Sequence, residues 1–255
     1  MIRFVKKYKK VKQYSKLAQV YDYVMRHVDY VGWAKFVDSV LKMNGIKFGH
    51  IIDLSCGTGT FLMELNEYGY KLYGSDVSRE MVKQAQSKCS KKGINITLYV
   101  GDMRTLRFEK RFDGAVSLFD SINYLRNEED VLENLVSVAS ILNDNGIFIF
   151  DICTEANSLK NFNQYTEKGE YNNIFYHRKS YYLEYDHLQI NDIKIIDKKT
   201  GEHYREIHRQ RIYTAEEIKN IVTISPLRLV NMYDGFSFNP PDSQTERIHF
   251  VLEKK

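Results

Sequence analysis

The sequence predicts an α/β protein built on a doubly wound, mostly parallel sheet. Short apolar runs alternate with amphipathic stretches from residue 50 to residue 152. A glycine-rich turn joins the first run directly to a helix. Three successive runs deliver an acid at or beside their C-terminal ends, where open α/β sheets bind ligands. Strands are expected near 50–54, 71–75, 96–100, 113–118 and 146–152, and helices near 59–68, 78–91 and 128–142.

The first strand, Ile51-Ile52-Asp53-Leu54, runs into Ser55-Cys56-Gly57-Thr58-Gly59 and then the helical run Phe61-Leu62-Met63-Glu64-Leu65. The second, Lys71-Leu72-Tyr73-Gly74-Ser75, ends on Asp76, and Ser78 is placed to cap the helix after it. The third, Ile96 to Val100, ends on Gly101-Asp102-Met103. Asn145-Gly146 closes a helix and opens the apolar run Ile147-Phe148-Ile149-Phe150. Helix Thr214–Val222 and strands Leu227–Tyr233 and Thr245–Leu252 complete a seven-stranded core. Residues 1–45 are expected to form a helical cap. It would have one helix over 13–27 with Leu17, Val20, Tyr21 and Val24 on one face, and another over 31–43 burying Trp33, Phe36, Val37, Val40 and Leu41.

Residues 155–213 break the alternation. Ile174–Tyr176, Ser180–Tyr185, Asp192–Ile196 and His203–Tyr213 read as short, tyrosine-rich strands with polar residues alternating, and Lys198–Gly201 reads as a hairpin turn. That is a small antiparallel sheet, inserted as a lid between core segments 46–154 and 214–255.

Composition narrows the function. The net charge of +4 comes from the tail: Arg3, Lys6, Lys7, Lys9, Lys10 and Lys12 are basic, and no acid lies among the first twelve residues. The remainder is slightly acidic, with 31 Lys and Arg against 33 Asp and Glu, which argues against a nucleic-acid enzyme. The tail reads as a solvated, partly helical extension. Three widely spaced cysteines point to a reducing, cytoplasmic compartment, and no apolar run is long enough to span a membrane. His203 and His208 are five apart in one strand and face opposite sides, and no residues have metal-ligand spacing.

The turn excludes two nucleotide readings. Counting from Gly57, a dinucleotide fingerprint would need its third glycine at Leu62. A phosphate loop would need Gly-Lys-Ser/Thr where Thr60-Phe61-Leu62 stands. Asp76 instead lies about 20 residues beyond the turn, where a carboxylate accepts ribose hydroxyls. Asp102 stands where an adenine amino group would donate. A helix cap explains Asp76 alone and a turn explains Asp102 alone, but the joint spacing favours a nucleoside.

Together these residues resemble the class I S-adenosylmethionine (SAM)-dependent methyltransferases, whose first motif is an Asp-Leu-Gly-Cys-Gly-Thr-Gly run. Here Ser55 replaces the first glycine, so the turn must tolerate negative φ there or carry slight strain. Tyr14-Ser15-Lys16-Leu17-Ala18-Gln19-Val20-Tyr21-Asp22 and Asp120-Ser121-Ile122-Asn123-Tyr124 are similar to a small-molecule subgroup that includes sugar N,N-dimethyltransferases and glycine or sarcosine N-methyltransferases.

The resemblance implies a Rossmann-like core with an antiparallel edge hairpin. It implies SAM as cofactor, with S-adenosylhomocysteine as product. Asp53, Ser55, Cys56, Gly57 and Gly59 would hold the methionine portion and Asp76 the ribose. Asp102 and Met103 would hold the adenine, with Val77 and Met81 as apolar walls and Phe119 beside the sulfonium. Tyr14 would lie over the cofactor, with Tyr21 as packing. Asp120, Tyr14 and His208 are the candidates for catalysis, and Tyr213 is a weaker one on the opposite face from His208.

The implied activity is methyl transfer to a small polar acceptor, an amine or a hydroxyl, by a monomer or homodimer without a membrane partner. Nucleic acid is disfavoured as a partner. A second reading is an RNA or protein methyltransferase docking through the basic tail. A third is a SAM-binding protein without enzymatic activity.

Overall fold

The computed structural model describes residues 7–255. Two sheets organise them. The larger is seven-stranded: β2 (His50–Asp53), β3 (Lys71–Asp76), β4 (Thr97–Val100), β5 (Phe112–Ser117), β6 (Leu142–Cys153), β11 (Leu227–Asp234) and β12 (Arg247–Lys254), in the order β11-β12-β6-β5-β2-β3-β4. From β6 to β4 every pairing is parallel, whereas β12 pairs antiparallel with both β6 and β11. The chain leaves β2 toward β3 and β4, then returns to β5 on β2's other side. That reversal opens a crevice beyond the C-terminal ends of β2 and β5.

The central strands read as continuous apolar runs because both faces are covered. Ile52, Ala115, Phe148 and Phe150 pack on one side with Val131, Leu135 and Val138 of helix α5 (Glu128–Ile141) and Ile218 of α7 (Ala215–Thr223). Ile51, Val116 and Ile149 pack on the other with Val37, Val40 and Leu41 of α2 (Tyr30–Met43) and with Leu62 and Leu65 of α3 (Thr60–Leu65). Ser78 caps α4 (Arg79–Lys92) through the Met81 N–H at 3.3 Å, as its position predicts.

The smaller sheet is five-stranded, in the order β1 (Lys9–Lys10), β10 (Glu202–Arg211), β9 (Leu188–Asp197), β8 (Ile174–Leu183) and β7 (Tyr165–Tyr171). The two expected strands over 174–185 are one continuous strand, and β7 has no counterpart in the sequence-based expectation. Gly201, at φ 72°, makes the turn between β9 and β10.

Two expectations fail at the N-terminus. The tail is not a helical extension where it is described: Lys9 and Lys10 pair in parallel with Tyr204 and Arg205 as an edge strand, and residues 1–6 lie outside the described part. The helix expected over 13–27 is also broken. A 3-10 turn at Leu17–Gln19 and the short helix α1 (Tyr21–Val24) replace it, and Tyr14 sits at φ 59°. The apolar spacing holds, but its partner is a face of the smaller sheet. Leu17, Val20 and Val24 bury against Ile174, Tyr176, Ile193 and Ile195, each apolar side chain adding about 1.5–3 kcal/mol. A short α6 (Glu155–Asn157) follows β6. Among the described residues no helix is long and apolar enough to cross a membrane.

Gly74 in β3 tests the packing of α3 on the sheet. A Cβ there would lie 2.7 Å from Leu62, 2.8 Å from Leu98 and 3.0 Å from the Cys56 Cβ. Gly74→Ala should lower stability by about 1–3 kcal/mol in urea denaturation. Unchanged stability would contradict this packing.

Candidate active site

The turn after β2 is shaped by hydrogen bonds that leave one side open. The Asp53 carboxyl accepts the Ser55 N–H at 2.9 Å, and the Cys56 N–H donates to the Ser75 carbonyl of β3 at 2.9 Å. Gly57 and Gly59 take φ 52° and 76°, whereas Ser55 stays out of the left-handed region, so serine is tolerated there. A Cβ on Gly57 would meet nothing nearer than the Tyr21 ring at 4.0 Å, which leaves room for a ligand against the backbone. Gly59 does not line the cavity. Its crowding is 3.1 Å from Ala85 of α4, and it shapes the turn from behind.

Asp76 faces that open side. Its two carboxylate oxygens accept the N–H groups of Gly57 at 2.9 Å and Ser78 at 2.8 Å. Each keeps a further lone pair, so a ribose diol has acceptors waiting. Burial pushes Asp76 up to about 6 despite these two bonds, and burial pushes Asp53 up to about 7.

Asp102 is engaged by a partner the sequence did not reveal. Arg104 grips it through Nε at 3.1 Å and Nη2 at 2.6 Å, and reaches Asp130 at 2.5 Å. The Arg104 hydrogen bonds hold Asp102 below the usual carboxylate range. Its spacing two residues from Asp102 was the available signal, and a solvated arginine would have looked the same.

The crevice holds a cavity of about 1260 Å³ lined by Tyr14, Asp53, Ser55, Cys56, Gly57, Asp76, Val77, Met81, Asp102, Met103 and Phe119. A second cavity, of about 460 Å³, lies between the smaller sheet and the crevice. Asp120 and His208 line this second cavity, and Tyr14, Tyr21, Phe119 and Tyr124 line both. Tyr21 packs against the Leu17, Val20 and Val24 cluster as expected, and it also lines both cavities as part of the aromatic wall they share. Tyr213 is elsewhere: its hydroxyl donates to the backbone carbonyls of Leu125 and Asn127.

A line of hydrogen bonds crosses this wall. The Tyr14 and Tyr124 hydroxyls are 2.5 Å apart, Tyr124 is 3.0 Å from Nδ1 of His208, and Nε2 of His208 is 3.0 Å from Glu206. With Nε2–H donating to the Glu206 carboxylate, Nδ1 is the acceptor, and the chain is oriented from Tyr14 through Tyr124 to His208. Burial raises both tyrosines above the ordinary phenol range, so both stay protonated at neutral pH.

Glu206 is fully buried and also accepts the backbone N–H groups of Tyr14 at 2.7 Å, Lys16 at 2.7 Å and Leu17 at 3.0 Å. A second tie joins the same segment to the turn, where Asp22 accepts from Thr58 at 2.5 Å and pairs with Lys88 at 2.7 Å. The sequence does not single out Glu206, because an acid in a charged strand reads as solvated. Asp22 closes the Tyr14-to-Asp22 segment, but its partners Thr58 and Lys88 cannot be read from it.

Asp120 is held rather than free. It pairs with Arg247, which also pairs with the buried Asp151, and the Asp120 N–H donates to Asp151 at 3.0 Å. Phe119 and Asp120 are consecutive left-handed residues, at φ 61° and 59°, a conformation that costs of order 1–3 kcal/mol each. Among the described residues no three His, Cys, Asp or Glu side chains cluster closely enough to hold a metal ion.

Comparison with known proteins agrees with this geometry. Residues 51–146 match the family described as "Methyltransferase domain". The chain is 31% identical to YqeM of Bacillus subtilis, which carries only a provisional methyltransferase name, over 94% of this chain and 97% of that one. It is 29% identical to the dTDP-3-amino-3,4,6-trideoxy-alpha-D-glucopyranose N,N-dimethyltransferase of Streptomyces venezuelae, over 52% of this chain and 56% of that one. A SAM-dependent methyltransferase of Clostridium acetobutylicum superposes with a TM-score of 0.80 at 25% identity, over 93% of this chain and 97% of that one.

If Asp76 accepts the ribose hydroxyls as a carboxylate, SAM binding should weaken as pH falls through about 6, where Asp76 takes up a proton. Asp76→Asn should weaken binding by about 1–3 kcal/mol at pH 8. It should also flatten that pH dependence in titration calorimetry. A variant that binds as tightly as the wild type would remove Asp76 from the ribose site.

Proposed function

The chain belongs to the SAM-dependent methyltransferases, and on that premise we propose that it methylates an amine on a small polar metabolite. The observation that carries this reading is the shared aromatic wall: one cavity suits the nucleoside, the other suits a metabolite, and the tyrosines between them lead to a buried histidine. Residues 155–213 and the N-terminal segment together contribute most of the lining of the acceptor cavity. At about 460 Å³, that cavity matches a small molecule better than a polymer. The sugar N,N-dimethyltransferase relative supports an amine acceptor. The three buried, unbridged cysteines suit a cytoplasmic location.

SAM, when bound, supplies a methyl group on a positively charged sulfur. The turn at Ser55–Gly57 would hold its methionine portion, Asp76 its ribose, and Asp102 with the Met103 backbone its adenine. The protein's remaining tasks are to align the acceptor, exclude water and receive a proton. Tyr14, Tyr21, Phe119 and Tyr124 close the junction to water. An amine attacks through its lone pair and must lose a proton before or after methylation. The Tyr14 oxygen, whose own proton points to Tyr124, is placed to accept it. The proton then passes by Tyr124 to Nδ1 of His208, and Glu206 stabilises the resulting imidazolium. Asp120, pinned by Arg247, orients the acceptor rather than removing its proton.

A SAM-consumption screen over amino sugars, amino acids, alkylamines and hydroxyl acceptors, with the product mass measured, tests the reading. An N-methylated product supports it, and methylation confined to hydroxyl acceptors overturns the amine assignment. With the identified amine, His208→Ala should lower kcat by roughly 100-fold near neutral pH. The loss should shrink as pH rises and the free amine needs no base, while SAM affinity stays unchanged. An equal loss at all pH values would indicate that His208 only supports the fold.

A further inference from the structure

The outer face of the smaller sheet, turned away from both cavities, carries a charge pattern that methyl transfer does not use. Strand register places Lys10, Arg205, Lys194, His177 and Lys168 side by side across the five strands. On the same face, Lys179 stands one row away and Arg209 two rows away. Only Lys10 also reaches a cavity, at the rim of the larger one.

Like charges directly opposite one another destabilise a sheet, so this row costs stability. Little within the chain relieves it. Of the acids on this face, Asp192 is taken by Arg205 through two bonds of 2.7 Å, and Glu170 by Lys198 at 2.6 Å. Among the described residues Lys10, Lys168, Lys179, Lys194 and Arg209 form no ion pair, and no acid precedes Asp22 in the chain. The neighbouring charges are felt: His177 is shifted below the ordinary imidazole range, first by burial and then by Lys168, Lys179 and Lys194.

Aromatic rings flank the cation row on both sides. Tyr8 meets His203 edge to face at 5.2 Å, Lys194 sits 5.3 Å over the Tyr8 ring, Phe175 is half-buried, and Tyr181 is 39% exposed. Cations flanked by aromatic rings on a sheet face suit a strand of phosphates with unstacked bases. A flexible acidic peptide would use the charges but leave the rings without a role.

We infer that this face docks single-stranded RNA, at a site separate from methyl transfer. The inner residues of the same strands, among them Arg178, Asn191 and His208, line the acceptor cavity, so RNA on the outer face lies across the sheet from it. The bound RNA is a docking partner and not the methyl acceptor.

The test is fluorescence anisotropy of a labelled, unstructured RNA of about 12 nucleotides with the full chain. If the five unpaired cations each contact a phosphate, affinity should fall about 100-fold between 50 and 200 mM salt. Lys168→Glu/Lys194→Glu should weaken binding at least 10-fold. The same change should leave the melting temperature unchanged or raise it, because it relieves the like-charge row, and SAM binding should not move. Tyr181→Ala should weaken binding about 5-fold or more through lost stacking. Wild-type RNA affinity in the charge variant would overturn the inference. So would displacement of the RNA by polyglutamate or anionic vesicles at equal charge, binding of duplex RNA as tightly as the single strand, or methylation of the RNA itself. Because RNA binding is read without SAM turnover, its failure is distinguishable from failure of the amine assignment.

Discussion

One buried carboxylate holds the two halves of the site in register. Glu206 is shut off from water, and such burial costs several kcal/mol unless the charge is well satisfied. Three backbone N–H groups from residues 14–17 and the His208 imidazole satisfy it. Hydrogen bonds to a charged group contribute about 1.5–3 kcal/mol each, enough together to offset that cost. The bonds that make Glu206 tolerable are the same ones that fix Tyr14, at a left-handed φ, between the two cavities. The N-terminal segment is not a continuous helix because its N–H groups are spent on this carboxylate and its apolar side chains on a face of the smaller sheet.

A similar economy operates on the other side of the wall. Phe119 and Asp120 hold strained backbone conformations at the end of β5, and the Asp120–Arg247–Asp151 cluster pins them there. Burial works against the Arg247 charge, but Asp120 and Asp151 overcome it and keep the guanidinium protonated. Burial, with Arg247 second, pushes the neighbouring His249 down to about 3, which leaves it neutral. β12, the antiparallel strand that carries Arg247, thus brings a fixed positive charge to the second cavity beside Asp120.

The core was legible in the sequence because its signals are local. Apolar runs of strand length, Gly57 and Gly59 in the turn, Ser78 at a helix start and acids at strand ends depend on near neighbours or on the sheet's parallel order. Residues whose role depends on distant partners were not legible. Glu206 meets residues 14–17, Asp22 meets Thr58 and Lys88, and Arg104 meets Asp130. As single letters, each looks like a solvated charge. The tail was misread for the same reason: nothing in Lys9-Lys10 announces a parallel partner almost two hundred residues away in β10. For Tyr21 the sequence shows the packing, which the structure also has, but not that the same ring lines both cavities.

Amide hydrogen exchange at residues 14–17, compared between the wild type and Glu206→Gln, tests the Glu206 clamp most directly. The clamp predicts slow exchange of the Tyr14, Lys16 and Leu17 amides in the wild type. It predicts markedly faster exchange in the variant, while the amides of β2, β5 and β6 keep their protection. Equal protection of the three amides in both proteins, with the variant's core intact, would contradict it.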